Sequence, residues 1–341
     1  MKKASVLELK KSSLKSLRKA LRPSGPSVES IIPVIQNRIA VGYSRLEKDD
    51  YRLEIRVQRK DGPAYKQALQ IKEEAHDEAN IEVVRQIAIP TRLEIEDADP
   101  HPALIKRVRP LQIGLSIAHR DGAAGTLGAF VDTDDGHCIL SNSHVLAQPS
   151  AAAENDPIFQ PGRPDVARLN NKGQIGRLYS YDVLSRNVSN DCDSAIALLE
   201  KDESHIGNVI PAGCGSPFAG GKIVLREQID DLLTKGREVY KIGRTTGWSV
   251  GTIDAVAVDD LIVSSGLGNL IYSDVIQIEW MDQKKPFSLP GDSGSLVFLQ
   301  DGDEFVAFGL HFAGGKKEGG EGVSFTCNLA LALDSHSATF L

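Results

Sequence analysis

The sequence predicts an all-β region over residues 111–341, a small α/β unit before it and a basic helix at the N-terminus. Two observations predict this order. From about residue 110 onward, short apolar runs recur with Gly, Asn and Asp between them, which is typical of many short strands joined by turns. Before that point, apolar residues follow strand and helix periods in alternation. The chain has 341 residues, of which 41% are hydrophobic, enough for two domains with a core.

The first segment, residues 1–27, is predicted to be a basic amphipathic helix followed by a hinge. Lys and Arg dominate residues 1–22, whereas the whole chain has a net charge of −7. Leu7, Leu14, Leu17 and Leu21 recur at helical spacing, and the RPSGPS stretch would end the helix. Such a helix can lie on an anionic membrane surface, dock on an acidic partner or pack against its own chain.

The second segment, residues 28–110, is predicted to be a small regulatory α/β domain. SVESIIPVIQNR favours a short helix, and IAVGYSRL and YRLEIRVQRK favour two strands. In YRLEIRVQRK the apolar residues alternate with polar ones, as in a half-buried strand. GPAYKQALQIKEEA favours a helix and NIEVVRQIAI a third strand, which gives a β-β-α-β order. RLEIEDADPHP then reads as an acidic linker.

Several classes of protein do not fit this composition. No apolar run approaches a membrane span, and charges interrupt every candidate for a secretory leader. The net negative charge gives no reason to expect nucleic acid as a partner. Cysteine is rare and scattered without a CxxC pair, and the Cys192, His205 and Cys214 spacing is irregular for a metal site. We therefore expect a cytoplasmic protein with free thiols, no metal and no cofactor.

Three short motifs carry candidate chemistry. PFSLPGDSGSLVF places Ser293 between glycines, just before an apolar strand. A serine nucleophile needs a base, usually a histidine held by a carboxylate. ILSNSHVLA offers His144 after a strand, and CDSAIALLE offers Asp193 before a buried run, with Asp191 as its competitor. Each motif alone is more often a structural turn or a surface residue, but the three occur together in one all-β pattern.

In the order His144, Asp193, Ser293, these motifs resemble those of the chymotrypsin/trypsin-fold serine peptidases over residues 115–335. AGTLGAFV and CILSNSHVLA resemble more narrowly the intracellular trypsin-like peptidases related to the plant NARROW LEAF protein, whose bacterial members carry a small α/β domain in front. The resemblance implies a chymotrypsin-like all-β double barrel with the active site between the barrels.

The resemblance also implies roles for single residues. Ser293 would attack the substrate, His144 would act as general base and then acid, and Asp193 would orient His144. The backbone N–H groups of Gly291 and Ser293 would form the oxyanion hole, and Asp292 would hold that turn. Secreted relatives are activated by cleavage, and the new amino terminus pairs with the aspartate that corresponds to Asp292. No processing site is evident here, so we expect an internal partner for Asp292.

The same resemblance suggests a substrate preference. Ser288 and His311 stand where glutamate-preferring relatives carry a hydroxyl and an imidazole, and no acidic residue lies at the pocket-base position near Phe287 to favour Arg or Lys. Cleavage after Glu, Gln or Asp is the hypothesis, against a structural histidine in a non-selective pocket.

We therefore expect a serine endopeptidase acting on protein or peptide substrates. A catalytically silent trypsin-like fold that serves as a binding module is the alternative from another class, and an esterase-like acyl hydrolase is a third possibility. An activating partner or a homo-oligomer is compatible with the sequence.

Overall fold

The computed structural model describes residues 1–20, 39–76, 78–147, 152–166, 173–226 and 228–341. The predicted helix at 27–38 and the hinge before it lie outside the described residues. The α-helices in the described part are α1 (Lys3–Ala20), α2 (Pro63–Glu74), α3 (Arg92–Glu96), α4 (Ser143–Leu146) and α5 (Leu329–Ser335).

Most of the described chain is β-strand. The strands are β1 (Ile39–Glu47), β2 (Asp50–Val57), β3 (Ala79–Ala88), β4 (Ser116–His119), β5 (Gly125–Thr126), β6 (Ala129–Thr133), β7 (Gly136–Ser141), β8 (Pro157–Phe159), β9 (Gln174–Tyr181), β10 (Ala195–Leu199), β11 (Ile223–Leu225), β12 (Glu238–Gly243), β13 (Gly247–Asp259), β14 (Leu261–Ser265), β15 (Gly268–Tyr272), β16 (Val275–Trp280), β17 (Leu296–Asp301), β18 (Glu304–Lys317), β19 (Gly322–Asn328) and β20 (Thr339–Phe340).

These strands form the predicted double β-barrel. An eight-stranded sheet runs in the order β20-β6-β7-β10-β9-β8-β4-β5 and curls into the first barrel. In the twelve-stranded sheet, the order β12-β17-β18-β19-β16-β13 closes on itself through a β12–β13 pairing and makes the second barrel. Closure leaves no free sheet edge within that ring, and its strands alternate side chains between an apolar interior and the outside.

The β-β-α-β elements before residue 90 occur as predicted, and their strands join the second barrel. β1 pairs with β13, β2 lies between β1 and β3, and β3 pairs with both β14 and β18. The strands on the two sides of residue 110 therefore share one sheet. The division into domains at that residue stays a prediction.

The expectation that β2 is half-buried is wrong. Leu53 and Ile55 are buried as predicted, but Glu54 and Arg56 on the opposite face are buried too. Arg56 donates to Gln277 (2.8 Å), Glu54 (2.9 Å) and Asp254 (3.0 Å). The charges on this face of β2 therefore belong to a buried ionic network rather than to a solvated face, and they are tolerated because a buried charge is stable when it is paired.

Helix α1 packs against its own chain in the described part of the structure. Val6 and Leu17 are buried, whereas Leu7 of the predicted apolar stripe is 42% exposed. Arg18 donates two hydrogen bonds to Asp260, at 3.0 and 2.7 Å. Lys10 lies 2.7 Å from Asp259. The acidic surface that the basic helix contacts is thus provided by β13 and the turn after it.

Candidate active site

His144 lies in the one-turn helix α4, directly after strand β7. Asn142 begins this helix in extended conformation. His144 Nδ1 is 2.6 Å from Asp193 Oδ2, and the backbone N–H of His144 donates to Asp193 Oδ1 at 3.1 Å. Two contacts to one carboxylate fix the imidazole ring and leave Nε2 as the nitrogen available for chemistry.

Asp193, rather than Asp191, is the carboxylate on His144. It lies before β10 and is fully buried, whereas Asp191 is exposed. Asn142 Nδ2 donates to the Asp193 carbonyl at 2.6 Å, and the Asp193 N–H donates to the sulfur of Cys327 at 3.4 Å. These contacts hold both ends of the residue, as expected for a group that orients a base.

Ser293 lies in the turn between Pro290 and β17 and is 1% exposed. Its backbone carbonyl accepts a hydrogen bond from the Thr126 N–H at 2.8 Å. A Cβ on Gly125 would come within 2.9 Å of that carbonyl and 2.5 Å of Val145, the residue after His144. The serine turn and the histidine turn therefore pack on the same glycine.

Ser293 Oγ and His144 Nε2 are among the buried polar atoms that have no hydrogen-bond partner within the described residues. Buried polar atoms are normally paired, so each unpaired one needs an explanation. A catalytic role would explain these two unpaired atoms, because catalytic hydrogen bonds often form only once substrate is bound.

The turn before Ser293 leaves two backbone N–H groups free. Asp292 N–H donates to the Leu289 carbonyl at 3.0 Å, whereas the N–H groups of Gly291 and Ser293 donate to no acceptor in the described part of the chain. Gly291 has a φ of 99°, in the left-handed region that favours glycine. Two unpaired N–H groups beside a serine are what an oxyanion hole requires.

Replacing Gly291 by Ala is expected to lower kcat/KM by about 10²–10³, the value of one oxyanion donor. The new Cβ would lie 2.6 Å from both Arg244 Nη1 and Thr245 Oγ1, so the turn must move and its N–H with it. Gly302, also at positive φ, has nothing within 4 Å of its added Cβ and is the matched control. Equal kinetics for Gly291→Ala and Gly302→Ala would contradict the assignment.

Asp292 has an internal cationic partner, Lys241 of β12. Lys241 Nζ lies 3.1 Å from Asp292 Oδ2, and both side chains are fully buried. Asp292 also accepts backbone N–H groups from Leu289 (2.9 Å), Thr245 (2.8 Å) and Thr246 (3.1 Å). Burial raises the pKa of Asp292, but Lys241 and these donors outweigh it, so the pKa falls below the usual range. The lysine supplies the charge that holds the turn.

Sequence reasoning predicted an internal partner but did not identify it. Lys241 stands in EVYKIG, where Val239 and Ile242 are also buried. A lysine inside an otherwise apolar strand is the signal that could have identified it, since lysine is rarely buried unless paired.

Of the two predicted specificity residues, His311 lies on a strand and Ser288 lies in the segment between β16 and β17. His311 is on β18, and its N–H donates to the Ser295 carbonyl at 2.9 Å. Ser288 Oγ is 2.7 Å from Ser324 Oγ of β19. Burial, together with the charge of Lys241, lowers the pKa of His311 to about 3, so its ring is neutral at ordinary pH. Its Nδ1 has no partner among the described residues.

Within the described residues, no group of three or more His, Cys, Asp and Glu side chains could hold a metal ion. No helix in that part of the chain is long and apolar enough to cross a membrane. The four cysteines are free and buried: Cys138, Cys192, Cys214 and Cys327.

The chain is similar to several known proteins. The sequence model of the Nal1 C-terminal domain matches residues 197–325, a range that includes Ser293 but begins after Asp193. Protein NARROW LEAF 1 of Oryza sativa subsp. japonica is 33% identical over 217 residues, which are 57% of this chain and 35% of that protein. The chain thus spans about a third of the length of this curated relative.

Solved structures of serine proteases also resemble it. Thermobifida fusca protease A is 13% identical with a TM-score of 0.45 and covers 67% of this chain and 97% of its own. A glutamic acid specific serine protease with a histidine triad in substrate binding is 17% identical with a TM-score of 0.45, at 68% and 100% coverage. Cellulomonas bogoriensis chymotrypsin is 15% identical with a TM-score of 0.45, at 67% and 97%.

Proposed function

We propose that this trypsin-fold relative of NARROW LEAF 1 is a serine endopeptidase that cleaves protein substrates through an acyl-enzyme. The observation that carries the proposal is the joint geometry at Ser293. His144 is held by Asp193 at 2.6 Å, Ser293 Oγ and His144 Nε2 are buried without a partner among the described residues, and two N–H groups flank Asp292 unpaired. Acyl transfer needs each of these parts.

The parts would act in a fixed order. Ser293 Oγ attacks the carbonyl carbon of the scissile bond while His144 Nε2 accepts the serine proton. The N–H groups of Gly291 and Ser293 donate to the negative oxygen that forms, and Asp193 stabilises the imidazolium. His144 then donates its proton to the leaving amine, which departs and leaves the acyl group on Ser293. A water molecule, deprotonated by His144, attacks that ester and releases the acid and Ser293 Oγ–H.

A second candidate is a catalytically silent fold that binds a protein partner. The observation that favours it is the 1% exposure of Ser293, since a nucleophile must be reached by its substrate. Both candidates share the fold, and they differ in whether Ser293 reacts. The roles of the N-terminal unit as a regulator and of an activating partner or homo-oligomer remain predictions.

A fluorophosphonate probe separates the two candidates. Covalent labelling of the full chain that disappears in Ser293→Ala supports the enzyme, because the probe reacts only with an activated serine. No labelling of the folded native chain would favour the binding module. Turnover of simple esters without turnover of matched peptide amides would indicate an acyl hydrolase instead of a peptidase.

Among the acidic and amide side chains, we propose glutamine as the preferred residue before the scissile bond. A neutral His311 ring can hydrogen-bond an amide, but it supplies no charge to balance a buried carboxylate. We expect kcat/KM at pH 7 to be about 10-fold higher for a Gln peptide than for its Glu counterpart. The ratio should shrink as the pH falls toward about 4.3, where Glu takes up a proton. A Glu peptide cleaved at pH 7 as fast as its Gln counterpart would contradict this preference.

A further inference from the structure

The edge of strand β18 that leads away from Ser293 is the place where a peptide substrate would pair. On that edge β17 pairs with β18 as far as Leu310. At His311 the backbone of β18 pairs instead with the turn that carries Ser293. His311 N–H donates to Ser295 O at 2.9 Å, and Gly294 N–H donates to His311 O at 2.8 Å. A peptide whose scissile bond lies at Ser293 can extend along β18 only from Phe312 onward, in the mode of an added strand.

Strand β3 occupies the continuation of this edge. β3 pairs antiparallel with β18, with Ala88 opposite Gly314 and Val84 opposite Lys317. β19 covers the other edge of β18 over the same residues, so β3 lies on the edge that faces the serine turn. β3 also runs toward Ser293, the direction in which an antiparallel substrate would approach. Only Phe312 and Ala313 remain between the serine turn and β3.

After Ala88 the chain leaves β18 and forms a wall beside His144. The Ile89 N–H donates to Ser264 O of β14 at 2.9 Å instead of to β18. Pro90 follows, and α3 begins after Thr91, whose side chain and that of Glu94 form a capping box. Residues 89–92 and Ile95 then line a cavity of about 330 Å³ together with His144, Val145 and Leu184.

The contacts of β3 mark it as a permanent part of the sheet. Glu82 of β3 lies 2.6 Å from Lys317 of β18 and accepts a hydrogen bond from Gln277 of β16 at 3.1 Å. Gln277 also binds Arg56, the fully buried centre of the ionic network on β2. Withdrawal of β3 would expose these paired charges, so a substrate cannot take the place of β3 without breaking the ion pairs.

We infer that β3 closes the acyl side of the cleft after about two substrate residues, so that peptides cut near their amino end are better substrates than long ones. This inference rests on the proposed function and narrows it. A residue opposite Phe312 and another opposite Ala313 fill the open edge, and a third would meet Ala88. At about 3.3 Å per residue, the edge has no room for further extended chain.

The test is a series of peptide amides that share their leaving group and scissile residue and carry one, two, three or five residues before the bond. We expect kcat/KM to peak at two residues, to fall at three and to be at least 10-fold lower at five. A two-residue substrate with an acetylated amino terminus is the control, because it shows whether the rate depends on the substrate's free amino group rather than on its length. Five-residue substrates cleaved as well as two-residue ones would overturn the inference.

Two variants test whether the residues after Ala88 form the wall that limits the substrate. Ile89→Ala should raise the three-residue rate several-fold relative to the two-residue rate, because Ile89 lines the cavity at His144. Leu69→Ala removes a similar side chain from the exposed face of α2 and should leave the ratio unchanged. An unchanged ratio in both would count against the wall.

Labelling by the fluorophosphonate probe distinguishes failure of this inference from failure of the proposed function. A labelled enzyme that prefers long acyl segments retains the proposed function and loses only this inference. An enzyme whose Ser293 is not labelled and which cleaves no member of the series loses both.

Discussion

Replacing Ser293 by Ala is expected under the proposed function to lower kcat about 10⁶-fold, the effect of removing the nucleophile from a serine protease triad. The physical reason is that the residual machinery can still bind substrate and polarise its carbonyl but has no atom with which to form the acyl-enzyme. The rate of cleavage of a fluorogenic peptide and the extent of labelling by a fluorophosphonate probe measure this loss. Because Ser293 Oγ has no hydrogen-bond partner among the described residues, the variant should fold as stably as the native chain.

Companion variants make this result specific. His144→Ala should be about as inactive as Ser293→Ala, and the double variant should be no worse than either, because the residues act as a unit. Ser12→Ala, on the exposed part of α1, is the neutral control. Activity that survives in Ser293→Ala would place the chemistry elsewhere and remove the basis of the proposed function.

The sequence predicted the parts of the fold that depend on local pattern. Apolar runs between Gly and Asp turns indicated the strands of both barrels, and the period of two in β2 indicated its buried Leu53 and Ile55. The candidate site residues could be named because each stands in a short motif at a strand end. Asp193 could be ranked above Asp191 because only the former directly precedes an apolar run, and the contact to His144 agrees with that ranking.

What the sequence could not predict depends on pairing between distant segments. Arg56 and Asp254 are nearly two hundred positions apart, so the pattern of β2 gave no sign that its charges face a buried partner. The contact of β3 with β18 joins Ala88 to Gly314 across an even longer separation. Periodicity shows which face of a strand is apolar, but not which strand pairs with which.

Replacing Lys241 by Met is expected to lower kcat by about 10⁴ or more while the fold persists. Asp292 would then be a buried carboxylate without a cation, and breaking such a pair costs about 3–5 kcal/mol. The turn that holds the Gly291 and Ser293 N–H groups would rearrange to relieve that charge. Each oxyanion donor contributes about 10²–10³ in rate, so loss of both accounts for the size of the effect.

Restoring the charge should restore the rate. Lys241→Arg keeps a cation at Asp292 and is expected to recover activity in part, whereas Lys241→Gln keeps only hydrogen bonding and should not. A structural role alone would lower the free energy of unfolding in all three variants without this order in kcat. Full kcat in Lys241→Met, measured where the protein is folded, would show that the turn is held without the lysine.

The pH dependence of stability gives an independent test of the Lys241–Asp292 pair. In the native chain the pKa of Asp292 lies below its ordinary value of 3.8, so the carboxylate stabilises the fold above that pH and the contribution is lost as the pH falls. In Lys241→Met the pKa of Asp292 loses the largest influence that lowers it, while burial and the backbone donors remain, so the carboxylate of that variant should contribute less stability as the pH rises. Denaturant unfolding between pH 3 and pH 7 should therefore show the difference between native and variant growing with pH. A difference that stays constant over this range would mean that Asp292 carries no charge that Lys241 balances.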